Sequence, residues 1–485
     1  MKLRLTVACP LLACALASFA ACNSESNPVD GEPSLDGGGT SGAPGSDGST
    51  PPPGTPGADG GADAGPAPFV PNRIIPVGLG SGQLEVDGAT MGLECNDQLV
   101  VKGGSYEWIT FKNIQAADGC IVMIVNDGLV EIAGTNRMTV ENTRNVTLSG
   151  NGTAGIDKGF YLHDNDYRAF DLIPPADGFT LQYFSFKNVK DYVIHFDNSD
   201  QIYDGTEGSF TKNLKFLHTD VENTSSFING SGSVDNTQSE DIVALVQNLE
   251  IAYLDVKHCP GIAAVAWFGN VDGYDIHHNT IDDINTENSN HNGIFSITGS
   301  GSFHHNRISN HQGNAIRAWT RSLGTTPKDV LIHDNIVVNS RKYSGFEVQS
   351  FDTFLIDGKT TFANAKIFNN TCGNLNTNND WVGVVADVYG LRGGTAEVFN
   401  NLGFQLRAQG SEDFDFVTSQ QGATEIIQSN NLRKETYGEV GILDLNEFRL
   451  SPTSPAKGAG KPTTLSSTDF YGAPRGATPS IGAVE

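Results

Sequence analysis

The sequence predicts an all-β protein, a right-handed parallel β-helix of about 12 coils, from three observations. One short motif recurs at a mean step of about 31 residues, short apolar strands alternate with turn-rich joins, and no long amphipathic helix is present. The motif reads apolar, two residues, Asn, one residue, apolar. It occurs as Ile276-His-His-Asn279-Thr-Ile281, Phe303-His-His-Asn306-Arg-Ile308, Ile332-His-Asp-Asn335-Ile-Val337, Ile367-Phe-Asn-Asn370-Thr-Cys372, Val398-Phe-Asn-Asn401-Leu-Gly403 and Ile427-Gln-Ser-Asn430-Asn-Leu432. Degenerate copies place Phe184, Thr219 and Leu254 in the Asn position, so nine marks from 184 to 430 span 246 residues in eight steps. At a bend between two strands an Asn amide can bond the backbone and stack on the same amide one turn above, which predicts a ladder through the six Asn. Coils stacked at the strand spacing give a solenoid roughly 55 to 65 Å long.

Taken in order, residues 1–22 read as an export signal, with Lys2 and Arg4 ahead of the apolar run Leu5 to Leu16. Phe19-Ala20-Ala21-Cys22 resembles a bacterial lipobox, which implies lipidation of Cys22. Leu11-Leu12-Ala13-Cys14 is the competing match, and an ordinary secretory signal is the alternative to both. The expected location is the bacterial cell envelope, lipid-anchored, at the surface or in the periplasm. Residues 23–68 hold 12 Gly, 9 Pro and seven acidic residues with no Lys or Arg, the composition of a disordered tether. Residues 69–485 form the β-helix domain, with N-terminal coils and cap at 69–150 and a C-terminal cap segment at 451–485. That length suits a solenoid better than a single globular core.

Composition narrows the partners. With 30 Lys plus Arg against 56 Asp plus Glu, the formal charge of −26 argues against a nucleic-acid binder, so no nucleic acid is expected. The one apolar run is too short to span a bilayer, leaving the N-terminal lipid as the membrane contact. In an oxidising compartment Cys95 and Cys120, 25 residues apart, are a plausible disulfide, while Cys259 and Cys372 look like small buried fillers.

The repeats resemble those of the pectate-lyase-like superfamily. The closing run Ser454-Pro455-Ala456-Lys457-Gly458, Asp469-Phe-Tyr-Gly472-Ala-Pro474-Arg475 and Ile481-Gly482-Ala483-Val484-Glu485 is similar to the C-terminal coil of bacterial β-helix proteins in it. The resemblance covers residues 80 to 485 and implies a monomer that holds an extracellular polysaccharide in a groove along one sheet. Outward positions of stacked strands line up about 5 Å apart there, a spacing suited to successive sugars.

Counting outward positions of the strand that follows each mark gives three rows. The first holds Phe295, Arg317, Glu347, Val385 and Asp415; the second Val265, Ile297, Trp319, Gln349 and Asp387; the third Trp267, Arg321, Phe351 and Tyr389. Trp267, Trp319 and Tyr389 supply rings for stacking, with Arg321, Gln349 and Asp415 as further substrate contacts. Two reactions fit. In β-elimination from a uronate polymer, Arg317 and Arg321 bind the carboxylate and His291 is the candidate base. In glycoside hydrolysis, Glu347 with Asp387, or Asp387 with Asp415, flank the bond as acid and base. A non-catalytic adhesin or spacer is the reading from another class, and Arg317 with Glu347 could equally be a surface ion pair.

No metal site is assigned. His277, His304 and His333, with His278 and His305 beside them, read as a surface ladder next to the Asn bend. Asp272, Asp275, Asp282 and Asp283 could hold calcium, but their spacing matches no EF-hand loop.

Overall fold

The computed structural model describes residues 69–230, 241–287, 291, 293–409, 416–419 and 424–485. Segments 1–22 and 23–68, with Cys22, and the groove position Asp415 lie outside these residues. The chain is organised by one column of residues in continuous parallel register: Ile75, Leu99, Ile124, Leu148, Leu181, Phe216, Ile251, Ile276, Phe303, Ile332, Ile367, Val398 and Gln428. From Leu99 to Val398 these side chains are fully buried, so the core is a stack of apolar layers along the solenoid. A second sheet contains Asp255–Cys259, Thr280–Ile284, Arg307–His311, Ile336–Ser340 and Thr371–Leu375, and a third contains Tyr192–Phe196, Ser226–Gly230, Asn314–Thr320, Phe346–Gln349 and Ala386–Gly390. Each strand pairs in parallel with its counterpart one coil on, and parallel strands joined by a full crossover wind right-handed. This is the right-handed parallel β-helix. The α-helices of the described residues are the four-residue Gly88–Met91 and Tyr437–Val440. None is long and apolar enough to cross a membrane.

The bend between the first two sheets is what the motif encodes. The residue before the ladder Asn is left-handed in successive coils, with φ 54° at His278 and His305, 52° at Asp334, 54° at Asn369 and 56° at Asn400. Asn, Asp and His are the non-glycine residues most often found there. The Asn that follows points inward and bonds its neighbour: Asn279 Nδ2 donates to Asn306 Oδ1 at 2.9 Å, Asn306 to Asn335 at 3.1 Å, Asn335 to Asn370 at 2.9 Å and Asn370 to Asn401 at 2.9 Å. The last rung corrects the sequence reading. Asn401 Nδ2 donates to Asn431 at 3.2 Å, whereas Asn430 is the left-handed residue and bonds the Ala459 carbonyl. With Asn at both positions the motif was ambiguous by one residue, and pairing of Val398 with Gln428 and Leu402 with Leu432 resolves it, turning Ile427 outward.

Cys95 and Cys120 form a disulfide with Cα atoms 5.1 Å apart, and Cys259 and Cys372 are free and buried. The segment after the last coil lies along the flank of the helix. Val440, Ile442, Phe448, Leu450, Ile481 and Val484 pack on Ile336, Val338, Leu402 and Phe404, the outer face of the second sheet. Arg475 Nη2 bonds the buried Asp334 at 2.5 Å, and His305 Nε2 lies 3.1 Å from the Asp469 carbonyl.

Beside this bend run stacked rings. His277, His304, His333, Phe368 and Phe399 follow one another at 5.1, 4.9, 4.8 and 5.0 Å between centroids. The stacking is the one the sequence suggested, but His305 and His333 are buried rather than on the surface, because the closing segment covers them. Burial pushes the His305 imidazole down to about 4, and Asp334, although buried, is held at about 2 by His333 and Arg475. Both groups lie below their ordinary values, so the unfolded chain binds more protons as the solution is acidified. Stability is therefore full above about pH 6.5 and declines as pH falls towards 4, with Asp334 adding to the loss below that. The urea midpoint is expected to drop between pH 7 and pH 4.5, and His305→Gln is expected to reduce that drop.

Candidate active site on the third sheet

Strand register defines the outer row of the third sheet directly. It runs Asp171, His195, Asn229, Trp267, Ser296, Arg317, Glu347, Asp387 and Thr418. Of the sequence-derived rows, Arg317 with Glu347 and Trp319 with Gln349 keep their placing, but Gln349 is buried at 1 % exposure and so is not the substrate contact the sequence suggested. Trp267 and Asp387 move into the row of Arg317, while Phe295, Ile297, Val265 and Val385 face the core and are buried. The turns entering the third sheet differ in length from coil to coil, so a fixed count from the motif loses phase. Tyr389 occupies a register shift, where Val348 pairs with Val388 but Gln349 pairs with Gly390.

Arg321 departs furthest from expectation. It follows the strand Asn314–Thr320 at the corner leaving the sheet, and its side chain is wholly buried. One guanidinium nitrogen bonds Asn270, the group lies 5.4 Å from the Phe354 ring, and Nε and Nη1 make no hydrogen bond. Burial pulls its pKa down to about 10. A buried cation of this kind contributes little net stability, and apolar replacements of buried ionic groups are often neutral or stabilising by about 1–4 kcal/mol. Arg321→Met is therefore expected to leave the urea midpoint unchanged or raised.

The structure joins three of the candidate groups. Arg317 Nε donates to Glu347 Oε1 at 2.7 Å, and His291 Nε2 lies 2.8 Å from Glu347 Oε2 and 3.2 Å from Asn314 Oδ1. Arg317 Nη1 also donates to the His291 carbonyl at 3.0 Å. Glu347 is 1 % exposed. Burial pushes its carboxyl up, but the contact with His291 and the charge of Arg317 outweigh that and hold it below the ordinary value. The carboxylate is thus kept ionised beneath two cation-capable groups. Both atoms facing His291 Nε2 are acceptors, so in the neutral ring the proton belongs on Nε2 and the lone pair on Nδ1.

Around this triad are side chains that strand counting missed, because they sit on the turns entering the sheet. The His291 ring stacks on Tyr343 at 4.1 Å, Trp381 lies 5.9 Å away, and Lys342 Nζ is 5.4 and 5.5 Å from those two rings. The visible signal was a Tyr and a Trp just ahead of successive strands, Phe346–Gln349 and Ala386–Gly390. Arg317 also lies 5.3 Å over the Trp319 ring. Asp387 is buried next to Glu347 in the row and accepts from Thr418 Oγ1 at 3.1 Å.

The four aspartates considered for calcium go to separate partners: Asp272 to Lys328, Asp275 to His304, Asp282 to Ser309 and Asn310, and Asp283 to His258. His305, His333 and Asp334 do come together, but Asp334 is already shared between His333 at 2.8 Å and Arg475.

Fold and site together describe a β-helix with a charged, ring-bearing outer face on one sheet. No family model matches the sequence, and no curated protein matches it. Among solved structures, an alginate lyase from Paenibacillus sp. str. FPU-7 aligns with 74 % of this chain and 99 % of its own at 14 % identity and a TM-score of 0.39. A PL6 family polysaccharide lyase from Pseudopedobacter saltans covers 73 % of this chain and 92 % of its own at 10 % identity and TM-score 0.38. Pectate lyase Pel9A covers 86 % and 97 % at 12 % identity and TM-score 0.34.

Proposed function

We propose that the protein binds an extracellular polysaccharide along the outer face of the third sheet and cleaves it at a uronate residue by β-elimination. The observation that carries this reading is the placement of His291 Nε2 between Glu347 and Asn314, with Arg317 on the same carboxylate. Glu347 and Asn314 orient the imidazole so that Nδ1 can take the C5 proton. Arg317 stands beside it to neutralise the sugar carboxylate, which acidifies that proton and stabilises the charge that develops. The C4–O bond then breaks, its electron pair leaves with the oxygen, and a C4–C5 double bond remains. Trp267, Trp319 and Trp381 offer faces for sugar rings.

Glycoside hydrolysis is the second reading, because Glu347 and Asp387 are neighbours in one row. It requires one carboxyl to stay protonated near neutral pH, and Glu347 is shifted the other way. In the cell, we place the groove outside the cytoplasm, tethered by residues 23–68 and a lipid on Cys22.

Incubation with polygalacturonate, alginate and a panel of neutral glycans tests the reaction. Products of the uronate polymers are expected to absorb in the near ultraviolet, and Arg317→Ala is expected to abolish the signal while retaining the β circular dichroism spectrum. Reducing ends without that absorbance would make the protein a hydrolase. Neither product, with binding unaffected by Trp319→Ala, would make it a binding or spacer protein.

A further inference from the structure

The row that carries Arg317 and Glu347 carries a second polar cluster near its other end, which the elimination reading does not use. Asp171 and His195 are adjacent in the row, with His195 Nδ1 3.8 Å from Asp171 Oδ1. Arg137 Nε lies 3.0 Å from Asp171 Oδ2. Arg168 stands over two tyrosines, 4.8 Å from the Tyr167 ring and 5.6 Å from Tyr192, and Tyr192 stacks with His195 at 6.3 Å. The bonding in this cluster is incomplete. The carboxylate oxygens nearest Arg168 are 3.5 and 3.8 Å away, and neither Arg168 Nε nor the buried Asp171 Oδ1 makes a hydrogen bond. Tyr167 is 48 % exposed. A folded protein seldom leaves such groups unpaired without a use for them.

Between the two clusters the row holds only Asn229, Trp267 and Ser296. Trp267 is three strand spacings from Asp171 and three from Glu347 along the register, so the two charged ends are about 29 Å apart with an indole midway. Rings beside a guanidinium, an imidazole and a carboxylate are the chemistry that recognises a hydroxyl-bearing sugar ring. His195, lowered by burial and by the charge of Arg168, is neutral near pH 7 and can exchange hydrogen bonds with hydroxyls.

We propose that Tyr167, Arg168, Asp171, Tyr192 and His195 form a second saccharide-binding subsite, which holds the same polymer chain that reacts at His291. The inference rests on the elimination reading for the identity of the polymer, and adds that the substrate is a long chain bound at two points and cut in its interior. At one sugar per strand spacing, roughly six residues separate the two points, so a tetramer cannot occupy both.

Arg168→Ala and Tyr167→Ala are compared with wild type on polygalacturonate and alginate, each as polymer and as tetramer. KM for the polymer is expected to rise about tenfold, the loss of one good contact, with kcat unchanged and tetramer kinetics unaffected. Tyr167 is exposed enough that its replacement leaves folding intact. Polymer binding is measured in parallel by calorimetry in the His291→Gln background, which needs no turnover. If wild type binds polymer without cleaving it and Arg168→Ala weakens that binding, the elimination reading fails and the subsite stands. Polymer KM and affinity unchanged in both variants, or an equal effect on the tetramer, would overturn the subsite.

Discussion

Replacing Glu347 with Gln is expected to lower kcat on a uronate polymer by about 10²–10⁴-fold, the range a positioned general base supplies. Gln keeps the shape of Glu but removes the charge that faces both Arg317 Nε and His291 Nε2. It can also present its amide nitrogen to His291, favouring the tautomer in which Nδ1 carries the proton and can no longer accept one. Substrate affinity is expected to change much less, because Glu347 is buried beneath Arg317 and His291 and does not itself meet solvent. Asp387→Asn is the comparison. On the elimination reading it costs less than tenfold, since Asp387 bonds Thr418 and sits one coil beyond the triad. Equal and severe losses from both variants, with reducing ends as the product, would transfer the chemistry to a pair of carboxylates. Steady-state rates from near-ultraviolet absorbance and from reducing ends, taken on the same samples, separate these outcomes.

Asn335→Leu is expected to destabilise the fold by about 2–5 kcal/mol, because buried polar groups lose their partners while the side-chain volume is kept. Asn335 Oδ1 accepts from Asn306 N at 2.9 Å and from Asn306 Nδ2 at 3.1 Å, and its Nδ2 donates to the Phe303 carbonyl at 2.9 Å. All of this lies in the interior, where water cannot replace the lost bonds. Asn431→Leu should behave in the same direction with a smaller loss at the partly exposed last rung, whereas Asn430→Ala, at an exposed left-handed position, should cost only about 1–2 kcal/mol. Urea midpoints for the three variants test the ladder and its register together. An Asn430→Ala loss as large as that of Asn335→Leu would contradict the assignment of the last rung.

The contrast between those two Asn shows where local sequence stops being sufficient. The bend motif is a chemical signal: a left-handed residue, then an amide that satisfies the backbone inside the turn and bonds the next amide. It was legible in coil after coil from Asn279 to Asn401, and with it the parallel coil, the stacked histidines and the apolar layers. Where two Asn stood together, only pairing of Leu402 with Leu432 chose between them.

The groove obeyed the same limit. Arg317 and Glu347 could be read from the chain because their adjacent strands share one register, and His291 because it lies on the turn just ahead of Gly293–His304. By itself the sequence determined the fold and the residue types available on its outer face, since alternation and periodicity act within one coil. Tertiary structure alone decided that Trp267 and Asp387 join the row of Arg317, that Tyr343 stacks beneath His291 with Trp381 beside them, and that Arg321 turns inward. Those outcomes depend on turns of unequal length and on side chains from neighbouring coils competing for the same space, and neither is encoded in a short pattern.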